Sequence, residues 1–302
     1  MRHFYYNIFD LHIISELEIP EAPERQFQDE NEPDVTITFG NVPDHLENVT
    51  SSGVLFETSG KIFLLNLPRI GKFLATEGRK IIIDPIESAE ADEIRLFLLG
   101  SVLGAILHQR GILPIHGSAS KINDKAVLII GNSAAGKSTL AASLVKKGFS
   151  LISDDLSAVS ADSSGLCRIH AGIPSLKLWK DVKDTMHPGS EMKKVRPQIE
   201  KYRVPVETNS NSGSPWIVDR IVLLSVKNET GFDLHEIAGA AKLKVLRENI
   251  YRDQIIKGLG LMEHHFRLLS QLAVQTELFH LRRPSFPLLI DELTEYFIQR
   301  VI

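Results

Sequence analysis

Residues 131–138 read Gly131-Asn132-Ser133-Ala134-Ala135-Gly136-Lys137-Ser138, a complete G-x-x-x-x-G-K-S pattern. An apolar segment, 126–130, precedes it and a helix-compatible stretch, 137–147, follows; these are the two flanks that a phosphate-binding P-loop requires. In such a loop the backbone N–H groups and the helix N-terminus cradle phosphate oxygens. The lysine supplies a point charge to the β and γ phosphates, and the serine hydroxyl meets Mg²⁺. The pattern therefore assigns Gly131, Asn132, Ser133, Ala134, Ala135, Gly136, Lys137, Ser138 and the following Thr139 to a nucleotide site for ATP and Mg²⁺.

Working outward, strands are expected at 112–118, 126–130 and 149–153 around a helix at 137–147, the strand–loop–helix–strand succession of a nucleotide-binding α/β core. Asp154 and Asp155 close the last of these strands. Ligands collect at the carboxyl ends of strands in open α/β sheets, which puts the pair beside the phosphates if that strand neighbours the loop strand. Adjacent side chains leave a strand in opposite directions, so one acid can serve the metal and the other can take a proton from an attacking hydroxyl. His116, on the strand feeding the loop strand, is a candidate for proton handling because an imidazole titrates near neutrality. Further strands are expected at 156–160, 166–169 and 221–226, and helices near 238–252, 261–276 and 287–301.

The chain has 302 residues, 43% apolar and 24% charged, with a net charge of −4. This composition excludes a disordered or collagen-like chain and gives no field strong enough for nonspecific binding to nucleic acid or an anionic membrane. The single cysteine, Cys167, allows no internal disulfide and suits a reducing cytoplasm. The first ten residues carry no signal-peptide pattern, and the apolar run 96–107 is too short for a bilayer and reads as a buried helix. Short strand-like segments around 9–13, 35–39, 54–56, 62–64 and 81–83 form a small antiparallel β domain over 1–90, and a catalytic domain follows over 91–302. The stretch 186–215, with the polar octet 208–215, reads as a lid or an insertion.

The succession Ile115-His116-Gly117, the P-loop, 140–148 and Leu151-Ile152-Ser153-Asp154-Asp155 resembles the catalytic core of HPr kinase/phosphorylase, a bacterial kinase of a serine on the carrier protein HPr. The resemblance implies an α/β P-loop kinase core, HPr kinase / phosphoenolpyruvate carboxykinase-like, behind a mainly antiparallel β domain. It implies His116 in proton handling near the γ-phosphate, Asp154 as catalytic base, and Asp155 with Ser138 around the metal. The chain departs from the bifunctional enzymes at Asn132, Ala134 and Thr139, and no Arg-Gly-rich segment follows the acidic pair. The segments 9–17, 172–179, 214–216 and 219–221 are similar instead to the tailoring kinases of lasso peptides. That branch implies transfer of phosphate from ATP to the C-terminal serine of a precursor peptide; an HPr-type enzyme, a metabolite kinase and a nucleotide-gated binding protein are the alternatives, and a homo-oligomer is left open.

Arg203, Arg247, Arg252 and Arg283 are candidates to meet transferring phosphate. Lys193, Lys194, Arg196, Lys201 and Arg203 make the 186–215 stretch basic. Trp179 and Trp216 are expected in the core before a substrate groove, and the His264-His265 pair lacks acidic partners at ligand spacing and is not read as a metal site.

Overall fold

Alternating apolar residues drive the first eight strands, whose inward side chains include Tyr6, Ile8, Ile13, Ile37, Phe73, Ile81 and Ile83, all buried, as a period of two requires. β1 (Phe4–Ile8), β2 (Leu11–Ser15), β3 (Val35–Phe39), β4 (Ser51–Ser52), β5 (Phe56–Ser59), β6 (Ile62–Leu67), β7 (Gly71–Thr76) and β8 (Lys80–Pro85) lie in the order β1-β2-β3-β8-β7-β6-β5-β4. The computed structural model describes residues 2–24, 32–186, 192–196, 199–207, 215–287 and 289–302, with Arg196 and Ile199 as backbone alone. Most pairings are antiparallel, but β3 runs parallel to both β2 and β8, so the sheet is mixed at that strand. The expected strand at 54–56 begins only at Phe56, the first residue of β5, whose ring stacks on Phe63; Val54, ahead of it, is 99% exposed.

A continuous helical run follows, α1 (Ala91–Phe97), a π-helical turn Leu98–Val102 and α2 (Leu103–Gln109). Ile94, Leu98, Val102 and Ile106 form its buried stripe. Among the described residues no helix is long and apolar enough to cross a membrane. Contacts divide the chain into one unit of Met1–Pro114 with Tyr251–Phe266 and a second of Ile115–Ile250 with Arg267–Ile302. In this grouping the run 91–109 belongs with the β sheet, whereas the sequence places a boundary at 90/91.

In the first unit His108 and His265 form a buried pair, Nδ1 to Nε2 at 2.8 Å, with His108 Nε2 2.8 Å from the Tyr251 carbonyl. Burial, and for His108 the neighbouring ring, push these imidazoles from 6.5 down to about 3 and about 4. An unfolded chain binds protons at these residues near pH 6.5, whereas the folded unit resists them. Stability is therefore full above that pH and is lost as pH falls toward 4. Thermal midpoints measured between pH 7 and 4.5 should drop, and His108→Gln should make that dependence shallower.

The second unit is built on β10 (Gly117–Ile122) and β11 (Lys125–Ile130), which follow the short β9 (Leu113–Ile115), and continues through α3 (Lys137–Lys146), β12 (Ser150–Ser153), β13 (Ser157–Ala161) and β14 (Cys167–His170). β15 (Ser175–Trp179), α4 (Lys180–Met186), β16 (Lys194–Arg196) and β17 (Ile199–Pro205) come next, then β18 (Trp216–Lys227), β19 (Asp233–Glu236) and α5 (Ala240–Glu248). α5 stops at Glu248, short of the expected 252, a 3₁₀ turn follows at Asp253–Ile255, and α6 (Met262–Gln275), β20 (Glu277–Pro284) and α7 (Ile290–Val301) come last. Strands run β12-β10-β11-β18, with β20 parallel to β18 and β14 and β13 attached through the start of β18.

One topological expectation is corrected. β12 does not neighbour β11, because β10 lies between them and is antiparallel to both. The cause is local: Asn123 and Asp124, at φ 49° and 63°, make a two-residue hairpin turn of the kind that folds adjacent strands together. The second neighbour of β11 is β18, in parallel register from Ala126↔Val218 to Ile130↔Leu223. The stretch 186–215 is likewise not one loop. β16 and β17 pair with each other, and β17 pairs with β15 in a three-stranded sheet; residues 187–191, 197–198 and 208–214, including most of the polar octet, lie outside the described residues.

Helix α3 is held on two sides. Leu140 and Leu144 join Ile129, Val222, Leu224, Leu281, Leu293 and Phe297 in one core cluster. Ala141 and Ala142 pack with Leu151, Leu176, Leu178, Val182 and Val204 in another. At about 25 cal/mol per Å² of apolar surface, this burial fixes the start of the helix and with it the loop that precedes it.

Candidate active site

The loop leaves β11 at Gly131, whose φ of 137° and whose position against the Leu224 carbonyl exclude a side chain: a Cβ would stand 2.2 Å from that oxygen. The Gly131 N–H donates to Asn249 Oδ1 at 2.9 Å, so the end of α5 anchors the loop. Ala134 sits at φ 65°, the left-handed region that costs a residue with a Cβ about 1 kcal/mol. Ala134→Gly should therefore raise the thermal midpoint by a few degrees; an unchanged or lower midpoint would mean the strain is not there. Gly136, at φ 105°, caps α3.

Arg283, buried on β20, clamps the loop from outside: Nε donates to the Ala135 carbonyl at 2.8 Å, Nη2 to the Ala134 carbonyl at 3.4 Å and Nη1 to the Pro284 carbonyl at 2.9 Å. Planar trans peptides turn the N–H groups that follow these carbonyls away from the guanidinium.

The Lys137 ammonium donates to the Gly131 carbonyl at 2.8 Å, the Asn132 carbonyl at 3.0 Å and His116 Nε2 at 3.3 Å. Burial pushes its pKa down from the usual lysine range. His116 lies in the bend between β9 and β10, where its Nδ1 donates to the Asp155 carbonyl at 3.0 Å. That bond leaves Nε2 as the acceptor facing Lys137. Burial, then the charge of Lys137, push the imidazole pKa down, so the neutral ring is favoured.

Although β12 is one strand away, its end reaches the loop. Asp154 Oδ1 accepts from Ser138 Oγ at 2.8 Å and from Ser118 Oγ at 2.6 Å, and Oδ2 accepts from the Lys177 N–H at 2.8 Å. The serine hydroxyl thus sits on Asp154 and not on Asp155, the acid that the resemblance pairs with it around the metal. Asp155, at φ 70°, turns away to the Lys177 ammonium, 2.6 Å from Oδ2, and its Oδ1 stands 3.6 Å from His116 Nδ1. Burial pushes the Asp155 carboxyl up, but the Lys177 charge and hydrogen bond outweigh it and hold the group well below the usual carboxylate range.

A cleft over the loop is lined by Ser133, Ala134, Gly136, Lys137, Ser138 and Thr139 of the loop and α3, by Asp155, Lys177, Trp179, Asp181, Val182 and Lys201, and by His116 and Arg283. Trp179 corrects its expectation: it is 42% exposed and lines the cleft, whereas Trp216 is core at 4%. Of the other arginine candidates, Arg203 pairs in register with Lys177 on β17, Arg247 is exposed on α5, and Arg252 belongs to the first unit, 5.7 Å over the Tyr251 ring; none of the three lines the cleft. Asn132 is exposed and contributes its carbonyl. Lys177, Ser118 and Asn249 carry no signal in the sequence, because a lone lysine, serine or asparagine has no spacing pattern, whereas Lys201 of the expected basic stretch does line the cleft. Among the described residues no group of three His, Cys, Asp or Glu side chains converges as a metal site. His264 Nε2 meets the Gly111 carbonyl at 2.8 Å.

Residues 112–170 match the family described as the HPr Serine kinase C-terminal domain. The chain is 38% identical over 98 residues to HPr kinase/phosphorylase of Lactobacillus gasseri and 37% identical over 98 residues to that of Lactobacillus johnsonii. Each alignment covers 29% of this chain and 30% of the relative. The chain is HPr kinase-like through this core, and the matched stretch carries His116, the glycine loop and both acids.

Proposed function

We propose that this chain is an ATP-dependent kinase that transfers the γ-phosphate to a serine hydroxyl. One observation carries the reading: the loop serine and the loop lysine are each tied to an acid-bearing element, Ser138 to Asp154 and Lys137 through His116 to Asp155. A plain binding loop needs no such second acid. The cleft also presents Lys137, Lys177, Lys201 and Arg283 against Asp155 and Asp181, a positive excess that suits a nucleoside triphosphate.

The Ser138 hydroxyl and the Asp154 carboxylate, 2.8 Å apart, are hard oxygen donors of the kind Mg²⁺ takes alongside phosphate oxygens. Magnesium bound there would neutralise charge on the β and γ phosphates. Asp155, lining the cleft beyond the loop, takes the proton of the acceptor hydroxyl. A carboxylate held ionised is a weak base, yet it suffices for a loose transition state in which the proton leaves late. The two acids thus exchange the roles first assigned to them, and His116 holds the Asp155 turn in place instead of acting as an acid.

For the acceptor, the exposed Trp179 between Lys177 and Lys201 suits a flexible chain end bearing a carboxylate, which supports the C-terminal serine of a lasso-type precursor peptide in the cytoplasm. The match over 112–170 favours a second reading, HPr itself. Labelled ATP offered with a seryl peptide acid, its C-terminal amide and HPr decides between them. Phosphorylation of the acid with loss on amidation is expected; efficient labelling of HPr would favour the second reading, and labelling of none would overturn both.

A further inference from the structure

We propose that Lys177 is a catalytic residue, an ammonium shared between Asp155 and the transferring phosphoryl group; this rests on the kinase reading above. Three observations place it. First, Leu176 and Leu178 are buried in the cluster against α3, and strand alternation then sends Lys177 from the opposite face of β15 into the cleft. Second, the backbone N–H of Lys177 donates to Asp154 while its ammonium holds Asp155, so one residue touches both acids and its charge is fixed relative to the loop. Third, Lys177 brings an ammonium to the side of the cleft that bears Asp155, opposite the loop lysine. Arg283, the guanidinium at the loop, is spent on loop carbonyls.

The reacting group therefore lies between two ammonium ions, Lys137 on the donor side and Lys177 on the acceptor side. In transfer, the acceptor hydroxyl proton passes to Asp155. The bond from the γ-phosphorus to its bridging oxygen breaks with the electron pair staying on ADP, and the acceptor oxygen forms the new bond to phosphorus. Throughout, the Lys177 ammonium stands beside Asp155 and faces the charge that develops on the phosphoryl oxygens. A preplaced charge used this way acts on the transition state more than on bound nucleotide.

The test uses the full chain with two probes, the Mg²⁺ complex of a non-hydrolysable ATP analogue and Mg-ADP with aluminium fluoride, which mimics the phosphoryl group in flight. For Lys177→Gln, calorimetry should give an ATP-analogue affinity within about threefold of wild type, while affinity for the fluoride complex and turnover of labelled ATP each fall about a hundredfold. Lys177→Cys supplies a second arm. The native Cys167 is buried, and burial pushes its thiol up to about 11, so it resists alkylation. Aminoethylation of the introduced thiol should return at least a tenth of the lost turnover, which repair of a misfolded chain would not do. Unchanged fluoride-complex affinity and turnover in Lys177→Gln, or loss of ATP-analogue binding as deep as the other losses, would overturn the assignment. Failure of the wild-type chain to bind the ATP analogue would instead remove the kinase reading and this inference with it.

Discussion

Lys137→Ala should lower Mg-ATP affinity by about a hundredfold or more and abolish phosphate transfer while leaving the chain folded. The ammonium's partners in the free protein are two loop carbonyls and an imidazole facing an open cleft, and water can satisfy all of them when the side chain is removed. What water cannot replace is the charge-assisted bond to phosphate, worth roughly 1.5–3 kcal/mol for a single contact to a charged group. Lys137→Arg should not rescue, because the planar fork does not fit a site built for a point charge. Calorimetry with Mg-ATP, a transfer assay and a thermal melt give the three readouts. Full affinity in Lys137→Ala would end the assignment of this loop to phosphate.

Asp155→Asn should keep Mg-ATP binding and cut transfer by roughly two to four orders of magnitude, the usual worth of a positioned base. Asp154→Asn should behave differently. Whichever way its amide is turned, the NH₂ group meets at least one of the donors that Asp154 now accepts, the two serine hydroxyls or the Lys177 N–H. The variant should therefore lose magnesium dependence and also some stability, about 1–3 kcal/mol for a buried unsatisfied group. Titrating Mg²⁺ against activity and following unfolding in denaturant separate the two. An Asp154→Asn chain that is stable and normally magnesium-dependent but inactive would restore the original order of roles.

The loop, its helix and the acid pair were legible in the sequence because each rests on neighbours in the chain: glycines where φ is positive, an apolar strand before, an amphipathic stretch after. What was not legible depends on distant pairing. The insertion of β10 between β11 and β12 turns on the backbone of Asn123 and Asp124, two residues that read as an ordinary polar turn. β20 was not expected at all, since His280, Arg282 and Arg283 interrupt its apolar alternation, yet it carries the arginine that clamps the loop. Lys177 carries no signal for a similar reason, and Lys201 stands out only as one of the basic residues of 186–215. They face each other's neighbourhood only because Trp179 and Lys201 are in register on β15 and β17, a pairing that crosses a stretch poor in hydrophobic signal. The division of roles between Asp154 and Asp155 turns on which of them adopts φ 70°, a property no side-chain pattern announces.

The stretch by which the protein is recognised, 112–170, is not an autonomous module. Excised, it would leave one side of β11 unpaired, because the parallel neighbour there is β18, and would lose both the Asn249 tether of Gly131 and the Arg283 clamp. A truncated product ending near residue 170 would carry every residue of the signature and still present a bare apolar strand edge, a template for aggregation. Trimming the chain, or fusing the signature stretch to another protein, has to retain the chain through α7, whose Leu293 and Phe297 close the core over α3.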